Sequence, residues 1–309
     1  MQPSSEIASD SRPLIACVGH CAIDHVFQIQ DFPERATKTP AHRYETVGGG
    51  MAANAALACA RLGGRVRFVG AVGPDDAGRM VRGQLAAEGI DLTYLQEVPL
   101  SHTSASAIIV DRRGERHIFN HRGNALANAR LPDDAVFDGC DAVLVDPRWP
   151  AGARAALLWA RAQGRLSVFD ADVAPQADLL ALVPLAQWVV FSEPGLAAWS
   201  GPVAQEEALS RAIFLGASCA AVTLGAQGVV LVAHGRLHRI PPFSVRAVDT
   251  TGAGDVFHGA LTLALTRGMQ PLEACGYASA AAALKCTQPD GIRGAPTAQA
   301  LQDFLRQRR

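Results

Sequence analysis

Over residues 142–286 short apolar runs alternate with longer stretches of helical periodicity, and no other feature of the chain limits its fold so sharply. Strands are predicted at 142–145, 166–169, 188–191, 220–224 and 229–232, and helices at about 153–163, 205–215, 253–266 and 272–286. Strands that are apolar on both faces need cover on both faces. The pattern therefore predicts an α/β fold, a doubly wound parallel sheet between two helix layers. The first half adds a fully apolar strand at 14–19, another at 66–72, and a helix at 75–88 that stops at Gly89. The segments 26–29, 43–47, 105–110 and 115–120 break the alternation, the last two pairing as a hairpin across Asp111 to Gly114. They are assigned to a small β-sheet that projects as a lid, formed from about 26–47 and 105–121.

The stretch Val248-Asp249-Thr250-Thr251-Gly252-Ala253-Gly254-Asp255-Val256-Phe257 turns from a loop straight into the helix predicted at 253–266. Gly252 and Gly254, on either side of Ala253, let consecutive N–H groups point toward one spot. This makes an anion nest at the positive end of a helix. Asp255 in the first turn has two readings: a charge that simply suits the helix dipole, or a general base beside a phosphate cradle. Two glycines with Asp249 and Asp255 in ten residues exceed what capping alone needs. Nest and carboxylate together fit phosphoryl transfer, where catalysis is mainly positioning and charge stabilisation. The amides of Gly252 to Asp255 would hold the developing charge, and Asp255 would accept the proton of the attacking hydroxyl. The chain has no GxxxxGK[ST] motif and no protein-kinase motif set, so neither mechanism applies.

Three earlier or flanking features bear on a ligand. Asp24 would follow the carboxyl end of the first strand, where open α/β sheets bind ligands; it could contact a polar substrate or merely cap the turn. Gly48-Gly49-Gly50-Met51-Ala52-Ala53-Asn54 runs into a helix through Leu62, and its glycines permit close backbone approach. Asn54 costs helix propensity on an apolar face and needs a hydrogen-bond partner. The strand end at Thr223, with Gly225 and Gly228, could wrap a nucleotide or be an ordinary tight hairpin.

Composition excludes several partners. The formal net charge is −1 with no long basic run, which argues against nucleic acid or an anionic membrane surface. No apolar run reaches the roughly 18 residues of a transmembrane helix. Residues 1–12 are polar, carry no secretory signal and are expected to form a frayed tail. The seven cysteines are scattered through apolar segments without a CxxC or Cys/His cluster, which suits buried free thiols and a cytoplasmic location. Lys38 and Lys285 are the only lysines.

On these motifs, the chain resembles the ribokinase-like (PfkB) carbohydrate kinases over nearly its whole length. Asp249 to Asp255 is similar to their C-terminal signature, and Gly48 to Asn54, continuing through Gly63 and Gly73, to the N-terminal one. The resemblance implies a three-layer α/β/α sandwich with a small β-sheet lid over 13–309, an ATP-dependent kinase, and a homodimer formed through the lid. It also implies Asp255 as catalytic base, Gly252 to Gly254 as anion hole, and sugar contacts from Asp24, Gly49, Gly50 and Asn54. Nucleotide contacts would come from Ser192, Thr223, Gly225 and Gly228, with Asp249 and Thr251 in a site for a monovalent cation such as K+. Magnesium would accompany ATP. The family's usual Asn-x-x-Glu element is replaced here by Ser192-Glu193-Pro194-Gly195.

Within the family, 146–149, 191–196, 255–260 and 283–287 are similar to the bacterial 6-deoxy-6-sulfofructose kinases. That resemblance implies Lys38, Asn120 and Arg148 as contacts for an anionic ketose. An ammonium, an amide and a guanidinium would together suit a tetrahedral anion. A neutral sugar such as fructose or ribose, a fructose phosphate or a nucleoside would use the same catalytic parts. A sugar-binding regulator without activity on the same fold is the alternative of a different class.

Overall fold

The nine-stranded sheet at the centre of the molecule has the order β13-β12-β11-β10-β9-β8-β1-β4-β5, and a four-stranded sheet beside it has the order β3-β2-β6-β7. The structure is a computed structural model describing residues 11–308; all but the last two residues of the expected tail at 1–12 lie outside the described residues. In chain order, the first half contains β1 (Leu14–Val18), β2 (Ala22–Gln28), β3 (Arg43–Gly49), α1 (Met51–Arg61), β4 (Arg65–Val72) and α2 (Asp76–Ala87). It continues with β5 (Leu95–Glu97), β6 (Ser104–Val110), β7 (Arg116–His121), β8 (Ala142–Val145) and α3 (Pro150–Ala162). Then come β9 (Leu166–Ala171), α4 (Gln176–Leu182), β10 (Trp188–Ser192), α5 (Glu193–Ser200), α6 (Gln205–Phe214) and β11 (Cys219–Thr223). The chain closes with β12 (Val229–Ala233), β13 (Arg236–Ile240), α7 (Ala253–Thr266), α8 (Pro271–Cys286) and α9 (Ala298–Arg306).

All five residues of β1 are buried. Ile15 and Cys17 join a core shared with α1, α7 and α8; Leu14, Ala16 and Val18 join a second core on the opposite face with α3, α5 and α6. Period-two alternation of a doubly covered strand thus yields the three layers. From β5 to β11 neighbouring strands run parallel, but β12 and β13 return antiparallel. The strict alternation expected at 220–232 therefore fails, because residues 224–228 are far too few for a crossover and form a hairpin turn instead. The strand order reverses between β1 and β8, and the crevice outside such a switch point is where open α/β sheets take ligands.

In the small sheet, β2 lies between β3 and β6 and begins at Ala22, four residues before the strand expected at 26–29. Asp24 is consequently a strand residue, paired with Val47 on one side and Ser106 on the other, and not a turn cap.

Helix α7 is buried continuously from Val256 through Ala264. A helix enclosed on every side cannot drift, so its first turn is held in place. Gly259 sets its distance from α1: a Cβ there would sit 2.4 Å from the carbonyl oxygen of Ala55. Only a glycine allows that approach.

Candidate active site

The first turn of α7 opens on Gly252, whose φ of 75° is left-handed, and no side chain caps the helix. Of the amides at 252–256, those of Ala253 and Val256 find acceptors, in the carbonyls of Thr250 and Gly252, among the described residues. The remaining donors are the groups that a bound anion satisfies at a helix start. A Cβ on Gly254 would meet nothing within 4 Å, so the protein's own packing does not require this glycine. What it leaves open is backbone approach from outside.

Because Gly259 seats α7 against α1, Asn54 reaches Asp255 one turn earlier: its Nδ2 donates to Oδ2 at 2.7 Å. Burial pushes the Asp255 carboxyl well above its usual range, and Asp170, when ionised, pushes the same way; the Asn54 hydrogen bond opposes both. Asp170 is itself buried and raised well above the ordinary value, first by burial and then by Asp172 and Asp146. Between them stands buried His258, with Nδ1 at 2.7 Å from the Gly254 carbonyl and Nε2 at 3.4 Å from Asp170 Oδ1. A proton on Nδ1 leaves Nε2 as an acceptor, which a protonated Asp170 can serve. Burial lowers the His258 pKa and raises that of Asp170, so both shifts favour this neutral pair.

The ends of the parallel strands complete the crevice. Asp146, 1% exposed after β8, accepts the amides of His20 at 2.8 Å and Ala52 at 3.0 Å on one oxygen, and that of Arg148 at 2.8 Å on the other. It thereby ties β1, α1 and Arg148 to one point. Gly50, with φ 94°, makes the corner: a Cβ would lie 2.5 Å from the His20 carbonyl oxygen. A Cβ on Gly49 would fall 2.3 Å from Asp24 Oδ2, so the glycine makes room for that carboxylate. Burial raises the Asp24 pKa, while the Ser106 hydroxyl lowers it. Strand register continues the row from Asp24 through Ser106 to Asn120, whose Nδ2 donates to Ser106 Oγ at 3.1 Å.

Asp24, Gly49, Gly50, Asn54, Asn120 and Asp255 are therefore linked by contact or register, and Arg148 joins them through Asp146. Arg148 is loosely paired with Asp172 at 3.8 Å, its side chain 25% exposed. Lys38 is not brought to this group. It lies exposed in the connection 29–42, beyond the far end of β2 from Asp24, and makes no ion pair with a described residue.

On the other side of the α7 start lies a cleft of about 440 Å³. Thr223, Gly225 and Gly228 line it together with Thr250, Ala253 and Gly254, and Phe243, Val245 and Phe257 supply apolar walls. The β11–β12 turn is thus both a tight hairpin and a cleft wall. Ser192 is committed elsewhere: its Oγ donates to Asp172 Oδ1 at 2.6 Å and accepts the Gly195 amide at 3.0 Å, capping α5. Gly195 stands where a Cβ would strike the Ala171 carbonyl at 2.2 Å, so no larger residue fits there. No cluster of three or more His, Cys, Asp or Glu suited to a metal occurs among the described residues.

The oxygens of Asp249 are likewise occupied. Oδ1 accepts the Thr251 amide and Oδ2 the Gly291 amide, each at 2.8 Å, and the carbonyl accepts Lys285 Nζ at 2.8 Å. Arg116 of β7 approaches Asp249 Oδ1 and Thr250 Oγ1 at 3.5 Å, joining the small sheet to this turn. This donor set does not fit the alkali cation that the family resemblance places at Asp249 and Thr251.

Asp146, Asp170, His258, Arg116 and Lys285 are not marked as site residues by the sequence. The available signal was a carboxylate at the end of a buried apolar strand, which applies to Asp146 and Asp170; nothing local marks the others.

The described helices include none long and apolar enough to cross a membrane, and all seven cysteines are free thiols. A ribokinase of Haemophilus influenzae is 30% identical over 95% of this chain and 99% of its own length. A fructokinase of Vibrio alginolyticus is 30% identical over 84% of this chain and 92% of its own. The crystal structure of a putative ribokinase from Agrobacterium tumefaciens superimposes with a TM-score of 0.91 at 36% identity, covering 96% of this chain and 98% of that one. The model of the pfkB family of carbohydrate kinases matches residues 12–298, and this chain is a member of that family.

Proposed function

We propose that this carbohydrate kinase transfers the γ-phosphoryl group of ATP to a hydroxyl of a ketose carrying a terminal anion, such as 6-deoxy-6-sulfofructose. The observation that carries the transfer step is the Asn54–Asp255 pair beside the uncapped first turn of α7. Asp255 takes the proton from the sugar hydroxyl as its oxygen bonds to the γ-phosphorus. The bond from that phosphorus to the bridging oxygen breaks, and ADP departs. The raised pKa of Asp255 makes it a stronger base than a solvated carboxylate. The amides at the α7 start hold the charge of the transferring group, and the apolar cleft beside Gly225 and Gly228 takes the nucleotide base. Magnesium accompanying ATP would neutralise phosphate charge, and because the Ser192 hydroxyl is committed to Asp172 and to its cap, the chain would hold the ion through water.

Support for an anionic sugar rests on Arg148, whose backbone amide Asp146 holds at the same crevice as α1 and whose partly exposed guanidinium is only loosely paired, with Asp172. Asn120 adds an amide on the row of Asp24. Lys38 would join by closure of the small sheet over bound sugar, which also excludes water. The names of the ribokinase and fructokinase relatives favour a second reading, a neutral pentose or ketose. Pairing of two copies across the outer face of the small sheet, where Tyr44 and Phe119 are 55% and 66% exposed, gives a homodimer, and the free thiols suit the cytoplasm.

The test is ADP release over a panel of neutral and anionic sugars, for wild type and Asp255→Asn. Loss of about 10²–10⁴-fold in kcat is expected for the variant. Tight sugar binding with no turnover on any sugar would sink the kinase reading. The highest kcat/KM is expected on the sulfonated ketose, with Arg148→Ala raising KM mainly for anionic sugars. Equal losses on fructose and its sulfonate would remove Arg148 from the anion site.

A further inference from the structure

Lys285, in the last turn of α8, has no solvent exposure at all. A buried ammonium is costly unless paired and hydrogen-bonded. Its partners are both on Asp249: Nζ donates to the main-chain carbonyl at 2.8 Å and lies 3.6 Å from Oδ2. The end of α8 grips the same turn through its backbone, because the Cys286 carbonyl accepts the amides of Val248 at 2.7 Å and Asp249 at 3.2 Å. Asp249 in turn fixes the Thr251 amide, one residue before the left-handed Gly252 that opens α7.

An alkali ion at this turn would be bound by oxygen lone pairs, carbonyls above all. Here the carbonyl of Asp249 already accepts from an ammonium, and each carboxylate oxygen accepts a backbone amide. A second cation would face the Lys285 charge across its own first ligand, with Arg116 approaching the same carboxylate. We propose that Lys285 is a built-in cation: its ammonium does at Asp249 what a bound monovalent ion would do, fixing the turn that leads into the α7 nest, so the enzyme works without added potassium. This rests on the reading of α7 as the phosphate-binding start of a kinase, but the occupancy of Asp249 can be measured without turnover.

The experiment compares full-length wild type, Lys285→Ala and Lys285→Met in choline, sodium and potassium chlorides at constant ionic strength. Melting temperature, sugar-kinase turnover and thallium(I) binding in crystals are recorded. For wild type, melting temperature and kcat/KM are expected to be indifferent to the cation, with no thallium peak at Asp249. Lys285→Ala is expected to lose on the order of tenfold in kcat/KM in choline, as a buried pair broken on one side does. Potassium or ammonium should restore part of that loss and raise the variant's melting temperature, with thallium appearing beside the Asp249 carbonyl. Potassium activation of wild type, or thallium at its Asp249, overturns the proposal, and so does a folded variant on which potassium has no effect. Lys285→Met keeps the volume filled should the alanine variant not fold, and the wild-type arms decide against the proposal on their own. If no sugar is turned over, the kinase reading fails while melting and thallium still decide the role of Lys285.

Discussion

The side-chain amide of Asn54 donates to Oδ2 of Asp255 across 201 positions of sequence, at 2.7 Å. That contact joins the two glycine-rich stretches of the chain into one site, and it acts on the protonation of the carboxylate. Burial raises the Asp255 pKa; the Asn54 hydrogen bond, made to the charged form, holds it down.

A base works when deprotonated, so kcat/KM should fall as pH drops through the raised pKa of Asp255. The acid limb is expected well above the ordinary carboxylate value of about 3.9. Asn54→Leu removes the bond that favours the charged form. Its acid limb should therefore move to higher pH, and activity at neutral pH should fall roughly tenfold to a hundredfold, the worth of a hydrogen bond to a charged group. An unmoved limb in this variant would show that a different group titrates.

Gly259→Ala sets helix propensity against packing. Alanine in a helix interior gains about 1 kcal/mol over glycine, but its Cβ would lie 2.4 Å from the Ala55 carbonyl oxygen. Backbone cannot yield as a flexible side chain can, and overpacking of this kind costs about 1–3 kcal/mol. The variant is expected to melt lower than wild type and to lose activity by parting Asn54 from Asp255. A higher melting temperature with full activity would mean that α1 and α7 do not need the close approach that Gly259 permits.

How much of the fold a sequence reveals depends on the range of the forces. The loop-to-helix start at Gly252 was legible because glycine spacing and a first-turn carboxylate are local signals, and α7 runs over the residues that periodicity gives. Strand β2 was misplaced because Ala22 and Ile23 continue the apolar character of β1, hiding the break that Gly19 and His20 make. Strand β13 has a largely exposed face and basic residues at Arg236 and Arg239, so it lacks the apolar signature of its neighbours. His258 and Lys285 were invisible as site residues, and Asp170 offered only its place near the end of a buried apolar strand. What makes each notable is a buried partner far away in sequence, and a single chain does not print its pairings.

His258 should govern part of the acid sensitivity of the fold. Its folded pKa lies below the unfolded value of about 6.5 because burial disfavours the charged ring. The unfolded chain therefore takes up a proton that the folded chain refuses. The stability from this group is fully present above about pH 6.5 and is lost as pH falls through the lowered folded value. Asp170, raised in the fold, contributes with the opposite sign in both proteins compared. His258→Gln should cost about 1–3 kcal/mol at neutral pH through lost buried hydrogen bonds, yet lose less stability than wild type on acidification. Urea unfolding on either side of pH 6.5 measures both, and parallel losses in the two proteins would exclude His258 as the titrating group.

Gly254→Ala separates the demands of the fold from those of the ligand. A Cβ there meets no protein atom within 4 Å, and alanine suits a helix better than glycine. The melting temperature should hold steady or rise slightly. The new methyl group would stand in the open space at the helix start, beside the free amides at 254 and 255 and any phosphate drawn to them. Anion binding at a helix start depends on contact distance, since the partial charge of the helix end falls off within the first turn. The expected result is a higher KM for ATP and a lower kcat, with sugar binding unchanged, because Asn54, Asp24 and Asp255 are left as they are. A variant as active as wild type would mean that phosphate does not approach the backbone at Gly254, and the nest would have to be placed at Gly252 alone.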